Sequence, residues 1–142
     1  MTIVASVDDE ERSKTVVKEA ATLADRFDEP LHVLSVYEES EHNHRLNEKI
    51  DVDQKATDED RKEIARTVAE RASEGISREH EVIGRTGNPA EEILEYATEV
   101  DSRYLVLGGR KRSPVGKALF GSVTQSILLD ADRPVVAVMD SN

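Results

Sequence analysis

The feature that most constrains the fold of this chain is an alternation of short apolar runs with segments of helical periodicity. Five apolar runs occur, at residues 3–7, 31–36, 80–84, 104–107 and 135–139. A strand that is covered on both faces is apolar almost throughout, whereas a strand with one wet face alternates. The pattern therefore predicts an α/β fold with one open parallel sheet and helices on both of its faces.

The segments between these runs predict helices with recognisable start signals. Asn88, Pro89 and Glu91 form a cap, a first-turn proline and an acidic third residue, and Thr57 with Asp60 forms a similar start. Apolar residues spaced three and four apart mark the faces expected to be buried. These stripes include Val16, Val17, Ala20, Ala24 and Phe27, then Ile64, Ala65, Val68, Ala69 and Ala72, and then Ile93, Leu94, Ala97 and Val100. A last helix is predicted from Ser122 to Leu129, and the core is also expected to contain Leu119, Phe120, Ile127, Leu128 and Leu129.

Length and charge limit the domain organisation and the partners. The 142 residues fit one domain, 1–142, in which a polar, acidic segment at about 38–56 has no periodicity and is expected to be mobile. Acidic residues outnumber basic ones 30 to 19, so the formal charge is −11. An acidic surface repels nucleic acid and anionic membranes, and neither is expected as a partner. The same acidity suits a halophilic protein.

Three absences exclude further classes of function. The chain has no cysteine, which excludes disulfides, thiolate metal sites and cysteine nucleophiles. No signal-peptide pattern and no apolar run of about 20 residues is present, so a cytoplasmic location is expected. His32, His42 and His44 lack the spacing of a metal site, and no metal ligated by the protein alone is expected.

A basic, glycine-rich segment is unusual in so acidic a chain. No acidic residue occurs between positions 102 and 129, although acids are about a fifth of the whole. The segment carries Arg103, Arg110, Lys111, Arg112 and Lys117 among several glycines. Glycines allow backbone N–H groups to approach an anion, and the helix predicted from position 122 adds unpaired donors and a positive dipole end. These properties favour a phosphate group, although basic surface loops also occur without any ligand.

Several stretches of this chain resemble the universal stress protein family. The family's nucleotide-binding members carry a glycine, two residues, a second glycine, nine residues, and then glycine with serine or threonine. Gly108, Gly121 and Ser122 match three of these positions, and the stretch from Leu105 to Ser113 resembles the same signature. Three more stretches are similar to the family and occur in the same order along the chain. They are the first strand with its aspartate, the Gly-Asn-Pro-Ala-Glu turn at 87–91, and the Arg-Pro-Val-Val sequence at 133–136 that leads into the last strand.

The resemblance implies a fold of the adenine nucleotide alpha hydrolase-like type with strand order 3-2-1-4-5. It also implies homodimers paired through the last strand, here Val135, Val136, Ala137, Val138 and Met139, and binding of ATP or another adenine nucleotide in one subset, with Mg²⁺ carried by the nucleotide. Carried over by position, Asp8 meets the ribose or adenine, Val36 lines the base pocket, and Gly108, Gly121, Ser122 and Val123 surround ribose and phosphates. The full predicted site is Ser6, Val7, Asp8, Val36, Leu107, Gly108, Lys111, Arg112, Ser113, Gly121, Ser122 and Val123.

One departure from the signature bears on that site. The second glycine is replaced by Lys111, whose side chain either blocks close backbone approach or supplies its own charge to a phosphate.

Asp8 could have a purely structural role instead of a ligand-binding one, because acidic residues after a strand commonly cap the next helix. The predicted function is a nucleotide-binding, stress-response regulatory module that is not an enzyme, or at most hydrolyses ATP slowly. The alternative is a dimeric interaction module of the same fold that binds no nucleotide.

Other nucleotide and phosphate folds fit poorly. A receiver domain would need an acceptor aspartate at the end of its third strand, where this chain has Ile83, Gly84 and Arg85. Neither a dinucleotide-binding glycine motif nor a P-loop follows Val7, and no nucleophile elbow of a serine hydrolase occurs.

Overall fold

The computed structural model describes residues 1–39, 57–109 and 121–139. In chain order these residues form β1 (Thr2–Ser6), α1 (Ser13–Phe27), β2 (Leu31–Glu38), α2 (Asp58–Ala72), β3 (Glu81–Gly87), α3 (Pro89–Glu99), β4 (Ser102–Gly109), α4 (Ser122–Asp130) and β5 (Val135–Met139). The acidic segment expected to be mobile, at about 38–56, lies outside the described residues from position 40 onward.

The strands form one sheet in the order β3-β2-β1-β4-β5, and every neighbouring pair is parallel. Successive residues of β1 show how both faces are covered. Ile3 and Ala5 pack in a cluster with α1 and α2, whereas Val4 between them packs in a second cluster with α3 and α4. The predicted fold, an open five-stranded parallel sheet with helices on both faces, is confirmed. No helix in the described part of the chain is long and apolar enough to cross a bilayer.

The predicted helix starts are also present. The Asn88 side chain accepts a hydrogen bond from the Glu91 N–H at 3.1 Å, with Pro89 as the first helical residue. Thr57 and Asp60 form a reciprocal capping box at the start of α2, with both bonds at 3.0 Å. Each cap satisfies N–H groups that have no partner inside the helix, and typically contributes about 1 kcal/mol.

Three of the strands, β2, β3 and β4, extend further toward their carboxyl ends than their apolar runs, whereas β1 ends at Ser6, one residue before its run does. β2 continues beyond Val36 to Glu38, and β3 continues beyond Gly84 to Gly87, because Val36 to Glu38 stay in register with Arg85 to Gly87. β4 likewise runs from Ser102 to Gly109 rather than over 104–107. Backbone pairing does not require apolar side chains, and polar residues appear where the strands leave the helix-covered core.

Four apolar residues predicted to be buried are exposed instead: Phe27, Ile64, Leu128 and Leu129. Ile64 is 52% exposed because α2 contacts the sheet through its alanines, Ala65, Ala69 and Ala72, and not through its larger residue. Leu129 is 78% exposed, and α4 fully buries only Ile127. Phe27 packs at the rim, with its ring 5.6 Å from that of Tyr104 and beneath the Arg103 guanidinium. Leu119 and Phe120 lie outside the described residues.

The strand order places a natural crevice beside β1. From β1 the chain adds β2 and β3 on one side, and it then crosses to add β4 and β5 on the other. The helices that follow β1 and β4, α1 and α4, pack on opposite faces of the sheet. In open α/β sheets this reversal point is where ligands bind.

Candidate functional site

A cleft of about 330 Å³ opens above the carboxyl ends of β1 and β4. Residues far apart in the chain meet here, as expected at a reversal of strand order. The cleft brings together these residues of the predicted site: Ser6, Val7, Asp8, Val36, Leu107, Gly108, Gly121, Ser122 and Val123. The remaining predicted residues, Lys111, Arg112 and Ser113, lie outside the described residues.

The loop after β1 holds the Asp8 carboxylate in one orientation. Its Oδ1 accepts hydrogen bonds from the Glu10 N–H at 3.0 Å and from the Ser13 hydroxyl at 2.8 Å. Its Oδ2 accepts from Arg12 Nη2 at 3.3 Å, and the Ser13 Oγ in turn accepts from the Asp8 N–H at 2.9 Å. The cap residue of α1 is Arg12, so Asp8 does not occupy the helix-cap position. Half of the Asp8 side chain is exposed, and Oδ2 retains an acceptor position for one more donor.

Gly108 is the junction between the β1 side and the α4 side of the cleft. Its carbonyl oxygen accepts a hydrogen bond from the Thr124 hydroxyl at 3.0 Å, which joins β4 to the first turn of α4. On its other side, a Cβ at position 108 would lie 3.4 Å from Val16 Cγ2 and 3.6 Å from Arg12 Nε. Both separations are ordinary van der Waals contacts, so the start of α1 packs on β4 here and still leaves room for a Cβ.

Gly121 lies at the start of α4, on the other side of the cleft from the loop after β1. It is the cap residue of α4, with φ −62° and ψ 162°, a conformation that any residue adopts. A Cβ at position 121 would meet no atom of the described residues within 4 Å. Neither backbone strain nor packing within the described protein requires glycine at this point of the cleft. Among the described residues no side chain caps α4, and its first residues, which carry the N–H groups at the positive end of the helix dipole, line the cleft.

One wall of the cleft is apolar and was only partly predicted. Val36, Leu107 and Val123 were expected there, but Pro89 and Ile93 from the start of α3 complete it. The sequence assigned these two residues to a helix start and to the core. The signal that locates them is topological, since every helix that follows a strand of a parallel sheet begins at the carboxyl edge, where the cleft lies.

The charged residues of the cleft are mostly acidic within the described ranges. Asp8, Glu10 and Glu38 contribute carboxylates, and Arg12 contributes the guanidinium. The sequence interpretation assigned the positive charge to the basic segment, and it did not select Glu10, Arg12, Ser13, Glu38 or Thr124 for the site. Arg12 was missed because it carries no motif and stands among acids.

The histidines considered for metal binding do not assemble a site in the described part of the chain. Among residues 1–39, 57–109 and 121–139 no group of three or more potential metal-ligating side chains occurs. His32 lies at the far end of β2 from the cleft, with Nδ1 2.6 Å from the Tyr96 hydroxyl and Nε2 3.4 Å from Glu81. Burial lowers the pKa of His32 below its ordinary value, an effect that Glu81 opposes. His42 and His44 lie outside the described residues.

Comparison with known proteins decides the family. A sequence model of the universal stress protein family matches residues 1–139. The chain belongs to the universal stress protein family. Among curated family members, a universal stress protein of Mycolicibacterium smegmatis is 50% identical over 48 residues, which are 34% of this chain and 37% of that protein.

Solved structures of universal stress proteins share the fold over nearly the whole chain. One from Archaeoglobus fulgidus is 30% identical with a TM-score of 0.63, covering 96% of this chain and 97% of its own. The structure of the universal stress protein from Archaeoglobus fulgidus in complex with dAMP is 24% identical with a TM-score of 0.59, covering 96% of both chains. The adenine nucleotide alpha hydrolase-like fold implied by the sequence is thereby confirmed.

Proposed function

We propose that this universal stress protein binds an adenine nucleotide in the cleft above β1 and β4. The observation that carries the proposal is Gly121, which lines the cleft at the start of α4 in an ordinary conformation and has no described neighbour within 4 Å of a Cβ. A glycine that the described protein does not itself require leaves space for a ligand. The dAMP complex of the related protein supports an adenine nucleotide as that ligand.

Different parts of the cleft suit the base, the ribose and the phosphate of an adenine nucleotide. The apolar wall of Val36, Pro89 and Ile93 suits the face of a base. The remaining acceptor position on Asp8 suits an amino or hydroxyl donor of adenine or ribose. The open N-terminus of α4 with the Ser122 hydroxyl suits a phosphate. The basic residues predicted for the site, Lys111 and Arg112, would add positive charge on the phosphate side.

The proposed role is stress-response regulation with little or no turnover, in the cytoplasm. Among adenine nucleotides, ATP is the proposed ligand, and Mg²⁺ would be bound by its phosphates. Efficient phosphoryl transfer requires a positioned base and a cation at the transferred group. In the described part of the cleft, the Asp8 carboxylate is hydrogen-bonded within its own loop and the Glu10 carboxylate is paired with Arg12, which supports binding rather than hydrolysis.

The decisive experiment is a thermal unfolding titration with AMP and with ATP plus Mg²⁺, against sodium chloride of equal ionic strength. A ligand at a hundredfold excess over its dissociation constant stabilises by about 2.7 kcal/mol. For a chain of this size that corresponds to a rise in Tm of about 5–10 °C. A flat response up to millimolar nucleotide would contradict the proposal and favour the interaction module.

A homodimer is proposed alongside either function, because β5 forms one edge of the sheet and is apolar throughout. Its residues are only partly buried, and Met139 is 44% exposed. An apolar edge strand tends to pair unless it is covered or charged. We expect light scattering at micromolar concentration to give the dimer mass, and the exposed-site variant Met139→Lys to shift the protein toward monomer. A monomeric unsubstituted protein would contradict the dimer and leave the nucleotide proposal unaffected.

A further inference from the structure

Arg12 is a cleft residue that the family signature does not include. It stands at the start of α1, and its side chain is only 20% exposed. Its guanidinium is paired with two acids of its own loop, Nη2 with Asp8 Oδ2 at 3.3 Å and Nε with Glu10 Oε2 at 3.2 Å. Because the guanidinium lines the cleft and is paired only with carboxylates of its own loop among the described residues, it could exchange one of these carboxylates for an anionic group of a ligand.

Both ion pairs are replaceable. Asp8 does not depend on Arg12 for its orientation, because the Ser13 hydroxyl and the Glu10 N–H already hold its Oδ1. Glu10 is half-exposed, and ion pairs between accessible groups contribute little to stability. A guanidinium has five N–H donors, and the contacts with Asp8 and Glu10 leave donors over for a third group.

The position of Arg12 relative to α4 identifies that third group. Arg12 Nε lies 3.6 Å from where a Cβ on Gly108 would stand, and Thr124 in the first turn of α4 donates to the carbonyl oxygen of the same Gly108. Arg12 and the residues at the start of α4, Gly121 to Thr124, also line the same cleft. A guanidinium prefers planar, charge-assisted bonds to phosphate or carboxylate oxygens, so an anion bound in this cleft at the start of α4 is the expected third partner.

We propose that Arg12 binds a phosphate group of the nucleotide and makes the cleft select phosphorylated over unphosphorylated nucleosides. This inference rests on the proposed nucleotide function and names a determinant of its ligand class. Glu10 is the competing partner, because its carboxylate occupies the guanidinium when no phosphate is present. Loss of Arg12 and loss of the Glu10 charge must then change phosphate-dependent affinity in opposite directions.

The test compares AMP with adenosine by isothermal titration calorimetry on the full chain. Arg12→Gln is expected to weaken AMP binding about tenfold, the value of one charge-assisted bond, and to leave adenosine binding unchanged. Lys14→Gln is the matched control, because Lys14 is two residues away, pairs with Glu11 and does not line the cleft. It removes the same charge and is expected to leave the affinities for both ligands unchanged.

The second arm removes the competitor. Glu10→Gln is expected to strengthen AMP binding severalfold with no change for adenosine, and Glu11→Gln, with the same charge change outside the cleft, is expected to have little effect. Equal losses for AMP and adenosine in Arg12→Gln would show that Arg12 acts only by positioning Asp8, and an unchanged AMP affinity would place the phosphate elsewhere. Either result overturns the inference while the nucleotide function stands. Failure of the unsubstituted protein to bind either ligand would overturn both.

Discussion

Replacement of Gly121 by asparagine is expected to abolish nucleotide binding while the protein remains as stable as before. Gly121 lines the cleft, and a Cβ added there meets no described atom within 4 Å, so the asparagine is accommodated at the start of α4 where the phosphate is proposed to bind. Asparagine is a better helix cap than glycine by a few tenths of a kcal/mol, and the backbone of Gly121 is already in the cap conformation. The same amide that caps α4 also satisfies the N–H groups to which a phosphate would bind.

We expect the AMP affinity of Gly121→Asn to fall at least a hundredfold in calorimetry, with an unchanged or slightly raised midpoint of urea unfolding. The matched control is Thr57→Asn, which places asparagine at the cap of α2, a position that does not line the cleft. That variant should bind AMP with the affinity of the unsubstituted protein. If Gly121→Asn also binds with full affinity, the nucleotide occupies another part of the molecule, and the proposed site is wrong.

Gly84→Ala is expected to cause the largest loss of stability of any single-methyl addition to the described chain. A Cβ at position 84 would overlap the Lys62 carbonyl oxygen and lie 2.6 Å from the Arg66 amide nitrogen. Both are backbone atoms of α2, so no side-chain rotation can relieve the overlap, and the helix must move away from β3. Overpacking of this kind costs about 3 kcal/mol or more, equivalent to a fall in Tm of about 10 °C for a chain of this size.

The effect of Gly84→Ala is measured by equilibrium urea unfolding, with Gly121→Ala as the control for the same chemical change in open space. Gly121→Ala should lose only the small cap preference of glycine over alanine. A free energy of unfolding for Gly84→Ala within about 1 kcal/mol of the unsubstituted protein would show that α2 does not approach β3 closely. The packing described for this face of the sheet would then be incorrect.

The contact between α2 and β3 also explains why a sequence pattern misassigned one helix face. Ile64 and Ala65 are neighbours in the same apolar stripe, and periodicity alone favours burial of the larger residue. In the structure the absence of a side chain at Gly84 lets the helix backbone approach the strand, so the alanine is buried and the isoleucine is exposed. The orientation of α2 therefore depends on the size of the residue at position 84 of β3, which is 20 positions from Ile64 in the chain.

The candidate site also contains residues that could be predicted from the sequence and residues that could not. The residues taken from the family signature and the strand ends, such as Asp8 and Gly108, do line one cleft. Arg12, Pro89 and Ile93 line it as well, yet their sequence contexts describe a loop among acids, a helix start and a core position. Their common property is that they lie near the carboxyl ends of adjacent parallel strands, which is a property of the assembled sheet.

Features that depend on neighbouring residues could be predicted from the amino-acid sequence. Apolar runs specify strands covered on both faces, and cap residues such as Asn88 and Thr57 mark helix starts, because hydrogen bonding and periodicity act over a few residues. The family resemblance supplied the strand order. The buried face of each helix, and the side chains of separate loops that meet in the cleft, became visible only in the folded structure. These outcomes depend on the shapes of surfaces brought together from distant parts of the chain, and no local pattern encodes them.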